Sequence, residues 1–487
     1  MSMQPPSRCM KGSISLLVIV FGAIFFSVLV ALSSYVLSQN RAEDTQRLKT
    51  QALAIAEAGL EYYRWHLAHF TNDLQNGTGH AGPYAVTIPD PQGGTAGTAS
   101  LAIAANTSCG QAISIDITST GSPSESAATQ QTVVARYARP SVAMYSYIVN
   151  ASVWAGADRV INGPYHSNGG VRMDGTANAP VTSSLSTWTC TSSFGCSPSA
   201  TKPGVFGAGT NQDLWDYPTP QVDFAGIASN FSSLKTIAQS SGLYLPRYSS
   251  GNSNSSAYHK GYHLVFNADG TVTVWNVSSV TQSSVIPVNS SDSSKDFTLI
   301  NNESRDRDYV IPTDCSLIFV EDNTWVEGVI PARITLVVAN VTNSGVAPDA
   351  FLKGNISYAA NDGSAGLTLI SEHNILISPN SPQNMSIRGI FVAQGGAFGR
   401  NLYGTFNHSG NLTGCDSRYE PRGTLTLVGS TISNFRTGTQ WVNGCGSGTN
   451  AGYLSRIDSF DRMLANNPPP FTPITSSDYK FVDWWQK

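Results

Sequence analysis

The cysteines are the residues of this sequence whose type and spacing predict chemistry most directly. There are seven, and Cys9 precedes a long apolar segment while six follow it; an even number is typical of an exported compartment that permits disulfides. Cys190 and Cys196 enclose the short loop CTSSFGC and are the first candidates for a bridge. Cys415 and Cys445 flank the segment TLTLVGSTISNFR and could be joined across two strands, and the pairing of the other cysteines is left open. No C-x-x-C pair or close Cys/His cluster is present, so the sequence predicts no metal site and no cofactor.

The histidines and carboxylates form no recognised catalytic pattern. His166 in GPYHSNGG stands beside Ser167, but without a G-x-S-x-G elbow this pair predicts a turn histidine rather than a nucleophile and base. The densest carboxylates are Asp306, Asp308, Glu321, Asp322 and Glu327. The first two lie in NNESRDRDY, which reads as a solvated turn, and glycoside hydrolysis would need two carboxylates at a separation that a sequence cannot supply. We expect no catalytic residues and no enzyme, with a polysaccharide lyase or hydrolase as the alternative.

The composition favours exported β structure. Charged residues make up 12% of the chain, about half the usual share, while Ser, Thr, Asn and 44 glycines are abundant. The formal net charge is −4 and no long basic run is present, so a specific nucleic-acid binder is not indicated.

The N-terminal region predicts one long helix in two different surroundings. No charged residue lies between Lys11 and Arg41, and Ile14 to Val36 would form a helix roughly 35 Å long, enough to cross a membrane. This stretch exceeds the apolar region of a signal peptide, which is about 7 to 15 residues long. Apolar residues then recur every three or four positions from Leu48 onward, which predicts an amphipathic continuation. We therefore expect a single helix over residues 13–75.

The same region resembles the N-terminus of type IV pilin-like proteins. The start MSMQPPSRCMKG is a short basic leader ending in Lys11-Gly12, and ALAIAEAGLEYYRWHL resembles the signature that follows the membrane span in PilX-type minor pilins. The resemblance covers about the first 70 residues. It implies that prepilin peptidase cuts after Gly12, that Ser13 becomes the mature N-terminus, and that the bulk of the chain lies outside the cytoplasm. An ordinary uncleaved signal anchor is the alternative.

One position departs from the pilin pattern. Most pilins carry Glu at the fifth mature position, where it meets the N-terminal amine of a neighbouring subunit, whereas this chain has Leu17. The departure favours a minor, initiating or tip subunit, or a relative that is only membrane-anchored. The residues implied to pack within a filament are Leu17, Leu48, Ala52, Ile55, Glu57 and Gly59.

The exported part is predicted to be mainly β. Segments of alternating polarity predict a small meander within residues 76–145, and repeated short strands over 146–465 favour a parallel β-helix, with a β-sandwich as the alternative. A helix is expected over Ala225–Leu245 and a hairpin turn at Asp269-Gly270. The end, 466–487, reads as an extended Pro/aromatic strap pinned to the body by its two tryptophans.

These features predict a minor pilin-like or pseudopilin-like subunit of a type IV filament or a related secretion system. It would be a single-pass protein of the cytoplasmic membrane with its bulk outside, and at the cell surface once assembled. The expected partners are the membrane, other pilin-like subunits, prepilin peptidase and the filament assembly platform. The displayed β domain would serve adhesion, with a surface glycan or a ligand on a host or partner cell as candidates. The alternatives are a membrane-tethered polysaccharide-degrading enzyme and a signal-anchored adhesin that does not assemble.

Overall fold

The chain begins with one long helix and continues almost entirely as β structure. A computed structural model describes residues 13–70, 73–249, 259–342, 347–476 and 478–487. Helix α1 (Ser13–His69) is 57 residues long and therefore about 86 Å in length. The prediction of a mainly β protein with a long N-terminal apolar helix is confirmed.

Among the described residues, the remaining elements are two short α-helices, three single-turn 3-10 helices and 33 strands. The helices are α2 (Phe231–Ser241) and α3 (Arg462–Asn466). The first strands are β1 (Tyr84–Pro89), β2 (Thr95–Ser108), β3 (Gln111–Pro123), β4 (Gln131–Ala138), β5 (Tyr147–Val149), β6 (Val153–Ala155), β7 (Arg159–Asn162), β8 (Tyr165–Ser167), β9 (Val171–Met173), β10 (Thr176–Ala177), β11 (Val181–Ser183), β12 (Thr187–Cys190), β13 (Ala200–Pro203), β14 (Val205–Phe206), β15 (Trp215–Asp216) and β16 (Leu243–Leu245). The later strands are β17 (Gly261–Phe266), β18 (Thr271–Ile286), β19 (Ser294–Val310), β20 (Leu317–Val320), β21 (Asn323–Ile330), β22 (Arg333–Val338), β23 (Ala350–Tyr358), β24 (Gly366–Ser371), β25 (Ile375–Ile377), β26 (Met385–Ala393), β27 (Phe398–Gly399), β28 (Leu402–Phe406), β29 (Leu412–Cys415), β30 (Arg422–Ser433), β31 (Gln440–Trp441), β32 (Ala451–Ser459) and β33 (Lys480–Gln486).

The chain divides into two compact units. The smaller unit contains α1 and residues up to 104, together with 115–137 and 483–487; the larger unit contains 105–114 and 138–482. The small sheet has the strand order β1-β2-β3-β4-β33, and the pairs β1–β2 and β3–β4 are antiparallel, as expected of a meander.

The C-terminal segment ends in strand β33, which lies beside β4 in the small sheet. Of its two adjacent tryptophans, Trp484 is 47% exposed and Trp485 is half-buried. Successive side chains of an edge strand point to opposite faces of the sheet, so one of two adjacent tryptophans must face outward. The strap over residues 466–487 stays a prediction.

The large unit is organised around parallel strand pairs with both faces covered. In the ladder β20–β22–β24–β26, Ile318, Leu336, Leu369 and Phe391 stand side by side in successive strands and belong to one core. Their sequence neighbours belong to a second core on the other face; they are Phe319, Val337, Ile370 and Val392. Because both faces are buried, these strands read as continuous apolar runs such as RITLVV rather than as alternating patterns.

The order of the strands in this ladder does not follow the chain. Strands β5, β8, β11 and β15 are parallel neighbours in that order. The chain then continues through α2 and resumes at β16, which pairs with β20. The later strand β30 returns to β5, with Thr431 opposite Tyr147. Strand β5 thus lies in the interior of the ladder, between β8 and β30.

Antiparallel pairs make the large sheet mixed. Strand β18 pairs with β17 and β19, and the β17–β18 turn lies at Asp269-Gly270 as predicted. The segment NNESRDRDY was expected to be a turn, but it belongs to β19. Strand β19 lies beside β18, and its consecutive charged side chains from Arg305 to Asp308 are exposed, so charge did not exclude a strand here.

Helix α2 is shorter than predicted. It begins at Phe231 because the side chain of Asn230 accepts a hydrogen bond from the amide of Ser233, which caps the first turn. It ends before Gly242, and Leu243–Leu245 form strand β16 instead of a last helical turn. Leu234 and Ala238 are the buried residues of this helix and belong to the second core.

Candidate functional site

The first half of α1 is an apolar surface without a partner among the described residues. Every described side chain from Ile14 to Val36 is exposed, including Phe21, Phe25 and Phe26. Within the described residues, α1 is the helix that is long and apolar enough to cross a membrane, and none of its most apolar window is buried. An apolar cylinder of this length would be unstable in water but matches a hydrocarbon core of about 30 Å.

The second half of α1 packs against the small sheet. Ala52, Ile55, Leu60 and Tyr63 are buried there. A Cβ added at Gly59 would lie 2.5 Å from Ser119 Oγ. The helix and the strands therefore approach so closely that this contact requires glycine.

The same close approach occurs from the side of the sheet. A Cβ added at Gly121, in β3, would collide with the carbonyl oxygen of Ala52 and with the backbone of Ala56. Backbone atoms of a helix cannot move aside as a flexible side chain can. The two glycines thus fix the distance between α1 and its sheet.

The end of α1 is fixed by a polar cluster. His66 Nε2 lies 2.9 Å from Asp73 Oδ2, and the hydroxyl of Tyr63 donates to the carbonyl oxygen of Asp73. Asp73 also accepts hydrogen bonds from the amides of Gln75 and Gly77, and these bonds together with His66 lower the pKa of its carboxyl group. The Asp73 carboxylate thus stabilises the turn that follows the end of α1.

The residues predicted to pack within a filament fall into two groups. Ala52, Ile55 and Gly59 face the chain's own sheet, so they present no free surface in this structure. Leu17 and Glu57 are exposed and Leu48 is half-buried, and their packing role stays a prediction. Sequence periodicity identified the apolar stripe but could not say that the stripe is covered by a sheet from the same chain.

The processing junction is only partly described. Residues 1–12, which include Cys9 and Gly12, lie outside the described residues. Helix α1 begins at Ser13.

Three disulfides link the six cysteines that follow the apolar segment. Cys190 is bonded to Cys196 and Cys415 to Cys445, which are the two pairs that the sequence suggested. The third bridge joins Cys109 to Cys315 across 206 residues of sequence. Cys109 occupies a two-residue turn with Gly110, where both residues have positive φ, and its amide donates to the carbonyl oxygen of Asp314. Nothing in the spacing of the cysteines could have paired residues so far apart.

Each carboxylate considered for catalysis has partners of its own. Lys235 Nζ lies 2.7 Å from Glu321 Oε1, and Tyr244 also donates to this carboxylate. Asp322 accepts hydrogen bonds from the amides of Tyr248 and Ser249 and from its sequence neighbour. On β19, the carboxylates pair with Arg305, Arg307 and Tyr309. These contacts are those of structural ion pairs and turns.

His263 is the centre of a charged cluster that the sequence did not indicate. Its Nδ1 lies 2.8 Å from Glu303 Oε2 and its Nε2 lies 3.0 Å from Glu327 Oε1. Lys353 Nζ lies 2.8 Å from the same oxygen of Glu327. The hydrogen bond from His263 and the charge of Lys353 lower the pKa of Glu327 to about 2. Strand pairing brings these residues together, since β17 lies between β18 and β21 and Lys353 stands on β23.

His166 is not on a turn as predicted but on strand β8. Its Nδ1 lies 2.8 Å from Thr182 Oγ1 and its Nε2 lies 2.9 Å from Asn168 Oδ1. Ser167 donates instead to the carbonyl oxygen of Ala151, because neighbouring residues of a strand point to opposite faces. Burial lowers the pKa of His166, and its hydrogen bonds are structural.

Comparisons with known proteins add little to this description. No protein-family model matches the chain, and no curated protein does. Among solved structures, the competence-associated pilin ComZ from Thermus thermophilus is similar with 13% sequence identity and a TM-score of 0.29, over 90% of this chain and 97% of that chain. At that TM-score the similarity carries no argument about fold or function.

Proposed function

We propose that the chain is a membrane-anchored minor pilin-like subunit that holds its two units outside the cytoplasm. The observation that carries this proposal is the two-part helix α1. Its first half is apolar and exposed over its whole circumference, while its second half is fixed to a small antiparallel sheet by close contacts at Gly59 and Gly121. A helix that leaves the membrane and continues into a β domain suits the resemblance of the first 70 residues to PilX-type minor pilins.

A minor position is proposed rather than a repeating one in the shaft. Leu17 stands where most pilins have Glu, so the chain lacks the carboxylate that would meet the N-terminal amine of a neighbouring subunit. The partners in this proposal are the membrane, other pilin-like subunits, prepilin peptidase and the filament assembly platform. The exposed residues Leu17 and Glu57 are the positions at which neighbouring helices would contact α1.

For the large unit we propose a short, irregular parallel β-helix that serves surface interaction. The support is the series of parallel strand pairs β16–β20–β22–β24–β26–β30, with an apolar core on either face of the ladder. A sandwich would be built mainly from antiparallel pairs. The disulfides Cys190–Cys196 and Cys415–Cys445 suit an oxidising compartment outside the cytoplasm.

The processing of the N-terminus tests the membrane part of the proposal. In a host with active prepilin peptidase, mass spectrometry of the purified chain should find Ser13 as the first residue. In a host without the peptidase, and in a Gly12→Val variant, the chain should still begin at Met1.

Two results would contradict the proposal. A wild-type chain that begins at Met1 despite active peptidase would indicate an ordinary signal anchor. A chain cut beyond Val36 and found free in solution would indicate a cleaved signal peptide, and the anchor would then be absent from the mature protein.

A further inference from the structure

A cleft of about 790 Å³ opens on the large unit. Its walls come from three stretches of chain: the loop closed by the Cys190–Cys196 bridge, the segment 286–291 after β18, and the segment 436–443 around β31. Trp154 and Arg456 add to the lining. The volume lies within the range of roughly 300 to 1,000 Å³ that is usual for small-molecule sites.

Arg436 is a cation of this cleft without a counter-ion. Its guanidinium stacks on the ring of Phe194 at 4.6 Å, and no hydrogen-bond or ion-pair partner occurs for it among the described residues. The Arg436 side chain is half-buried, and this burial lowers its pKa. A desolvated charge is unfavourable unless it is paired, so the geometry leaves room for an anionic group.

The other arginine of the cleft is already neutralised. Arg456 forms two hydrogen bonds of 2.7 Å with the carboxylate of Asp158. The cleft therefore offers one unpaired positive charge, which is enough for one carboxylate but unlike the row of cations that a polyphosphate backbone needs.

Neutral polar groups and two fixed aromatic rings complete the lining. The polar side chains that line the cleft are Ser192, Ser193, Asn289, Ser290, Ser291, Thr437, Gln440 and Asn443. The indole of Trp154 donates to Asp174 at 2.8 Å and that of Trp441 to the carbonyl oxygen of Arg400 at 3.0 Å, so both rings are held in place. Fixed aromatic faces bind apolar surfaces with little loss of entropy, and hydroxyl and amide groups exchange hydrogen bonds with hydroxylated ligands.

Thr437, which follows Arg436 in the sequence, has a second polar group without a partner among the described residues. The residue is 8% exposed, and its buried hydroxyl has no hydrogen-bond partner within the described part of the chain. A buried hydroxyl without a partner is unfavourable, and rotation of the Thr437 side chain toward a ligand in the cleft would remove that penalty.

We propose that this cleft binds an acidic oligosaccharide, with Arg436 pairing with the carboxylate of a uronic or sialic acid and the rings of Trp154 and Trp441 contacting the sugar. The inference gives a ligand class to the proposed surface role. It concerns the large unit alone, so the N-terminal processing result and the binding result can fail separately.

Binding of defined sugars to the full-length chain in detergent micelles tests the inference. The acidic probes are tri-galacturonate and 3′-sialyllactose, and their neutral counterparts are methyl-esterified tri-galacturonate and lactose. We expect tryptophan fluorescence and calorimetry to show at least one acidic probe binding about tenfold or more tightly than its neutral counterpart, since one charge-assisted hydrogen bond is lost.

Variants separate the charge from a change of fold. Arg436→Gln should weaken the acidic probe about tenfold without changing neutral binding. Thr437→Val should weaken it a few-fold while leaving the melting temperature unchanged or higher, because an unpaired hydroxyl is removed. The matched control is Arg418→Gln, which removes an arginine that is 73% exposed and paired with Asp416 outside the cleft.

Several results would overturn the inference. These are no binding of either acidic probe, equal affinity for acidic and neutral probes, or an Arg436→Gln variant that binds like the wild type. Tighter Arg436-dependent binding of a single-stranded oligonucleotide would assign the cleft to nucleic acid instead.

Discussion

At the scale of single residues, most of the buried charged side chains considered as candidate sites have a partner of opposite charge. His263 is 4% exposed at its side chain and lies between Glu303 and Glu327. Lys353 reaches the second of these carboxylates, which gives a cluster of two basic groups and two acidic groups on adjoining strands. Such a cluster holds strands in register, because a slip by one residue would move every one of these side chains to the other face.

Removing the charge of Glu327 should destabilise the large unit at neutral pH. We expect Glu327→Gln to lower the free energy of unfolding at pH 7 by about 1–3 kcal/mol, the usual contribution of a hydrogen bond to a charged group. The lowered pKa of Glu327 stabilises the fold above its ordinary value of 4.5, and this contribution is lost as the pH falls through about 2. Thermal unfolding at pH 7, 4 and 2.5 measures the difference between variant and wild type.

The difference should shrink toward pH 2.5, because the carboxyl group of the unfolded chain is then protonated and that of the folded chain begins to be. Asp213→Asn, at an exposed carboxylate, is the control and should behave like the wild type at each pH. A Glu327→Gln penalty that is constant from pH 7 to 2.5 would mean that the ion pair does not contribute as described.

Local sequence patterns predicted some residue-level features and missed others. The pairing of Cys190 with Cys196 could be predicted from the sequence alone because only six positions separate them. The partners of His263 lie 40 and 64 positions away, so only the pairing of strands brings them together. The unpaired Arg436 carries no sequence signal at all, since an arginine without a partner is recognised only when its surroundings are known.

At the scale of elements, α1 has two surroundings and two kinds of residue. Its first half needs only apolar side chains, whereas its second half must fit a particular sheet. The fit depends on small residues at the contact, since Gly59 and Ala52 face strands that carry Gly121 and Ala99. The sequence therefore predicted the helix and the small sheet, but not the close glycine contacts that join them.

Enlarging Gly121 should separate the helix from the sheet. Gly121→Ala should lower the free energy of unfolding of the small unit by about 1–3 kcal/mol or more, because the added methyl group meets helix backbone. Limited proteolysis and hydrogen exchange of residues 41–70 should show faster cleavage and exchange.

The control for this prediction is Gly414→Ala in β29. There the nearest neighbour of the added Cβ is Thr405 Oγ1 at 3.5 Å, an ordinary contact. If the two variants are equally stable, the close approach of α1 to β3 is not required for the fold.

At the scale of the whole molecule, the order of strands in the large unit is the feature that no local pattern contains. Apolar runs such as IFV and RITLVV indicated buried strands, but β30 pairing with β5 depends on contacts between residues almost 300 positions apart. The covalent bridge between Cys109 and Cys315 is a second long-range feature.

Breaking that bridge should be more harmful than breaking the short one. A Cys109→Ser/Cys315→Ser variant should lose about 2–5 kcal/mol of stability, because the bridge closes a loop of 206 residues and thereby restricts the unfolded chain. The Cys190→Ser/Cys196→Ser variant opens a loop of only six residues and should lose less stability. Melting temperatures under non-reducing conditions compare the two, and equal losses would contradict the loop-length argument.

The place of β33 beside β4 has a consequence for the timing of synthesis. All of residues 139–479 lie between these two neighbouring strands. At roughly 5–20 residues per second, the ribosome needs tens of seconds to make that stretch after β4 has emerged. During this interval the edge of β4 carries unpaired backbone groups, and such an edge can pair with the wrong strand. A chaperone would therefore have its greatest effect on this protein before its last strand arrives.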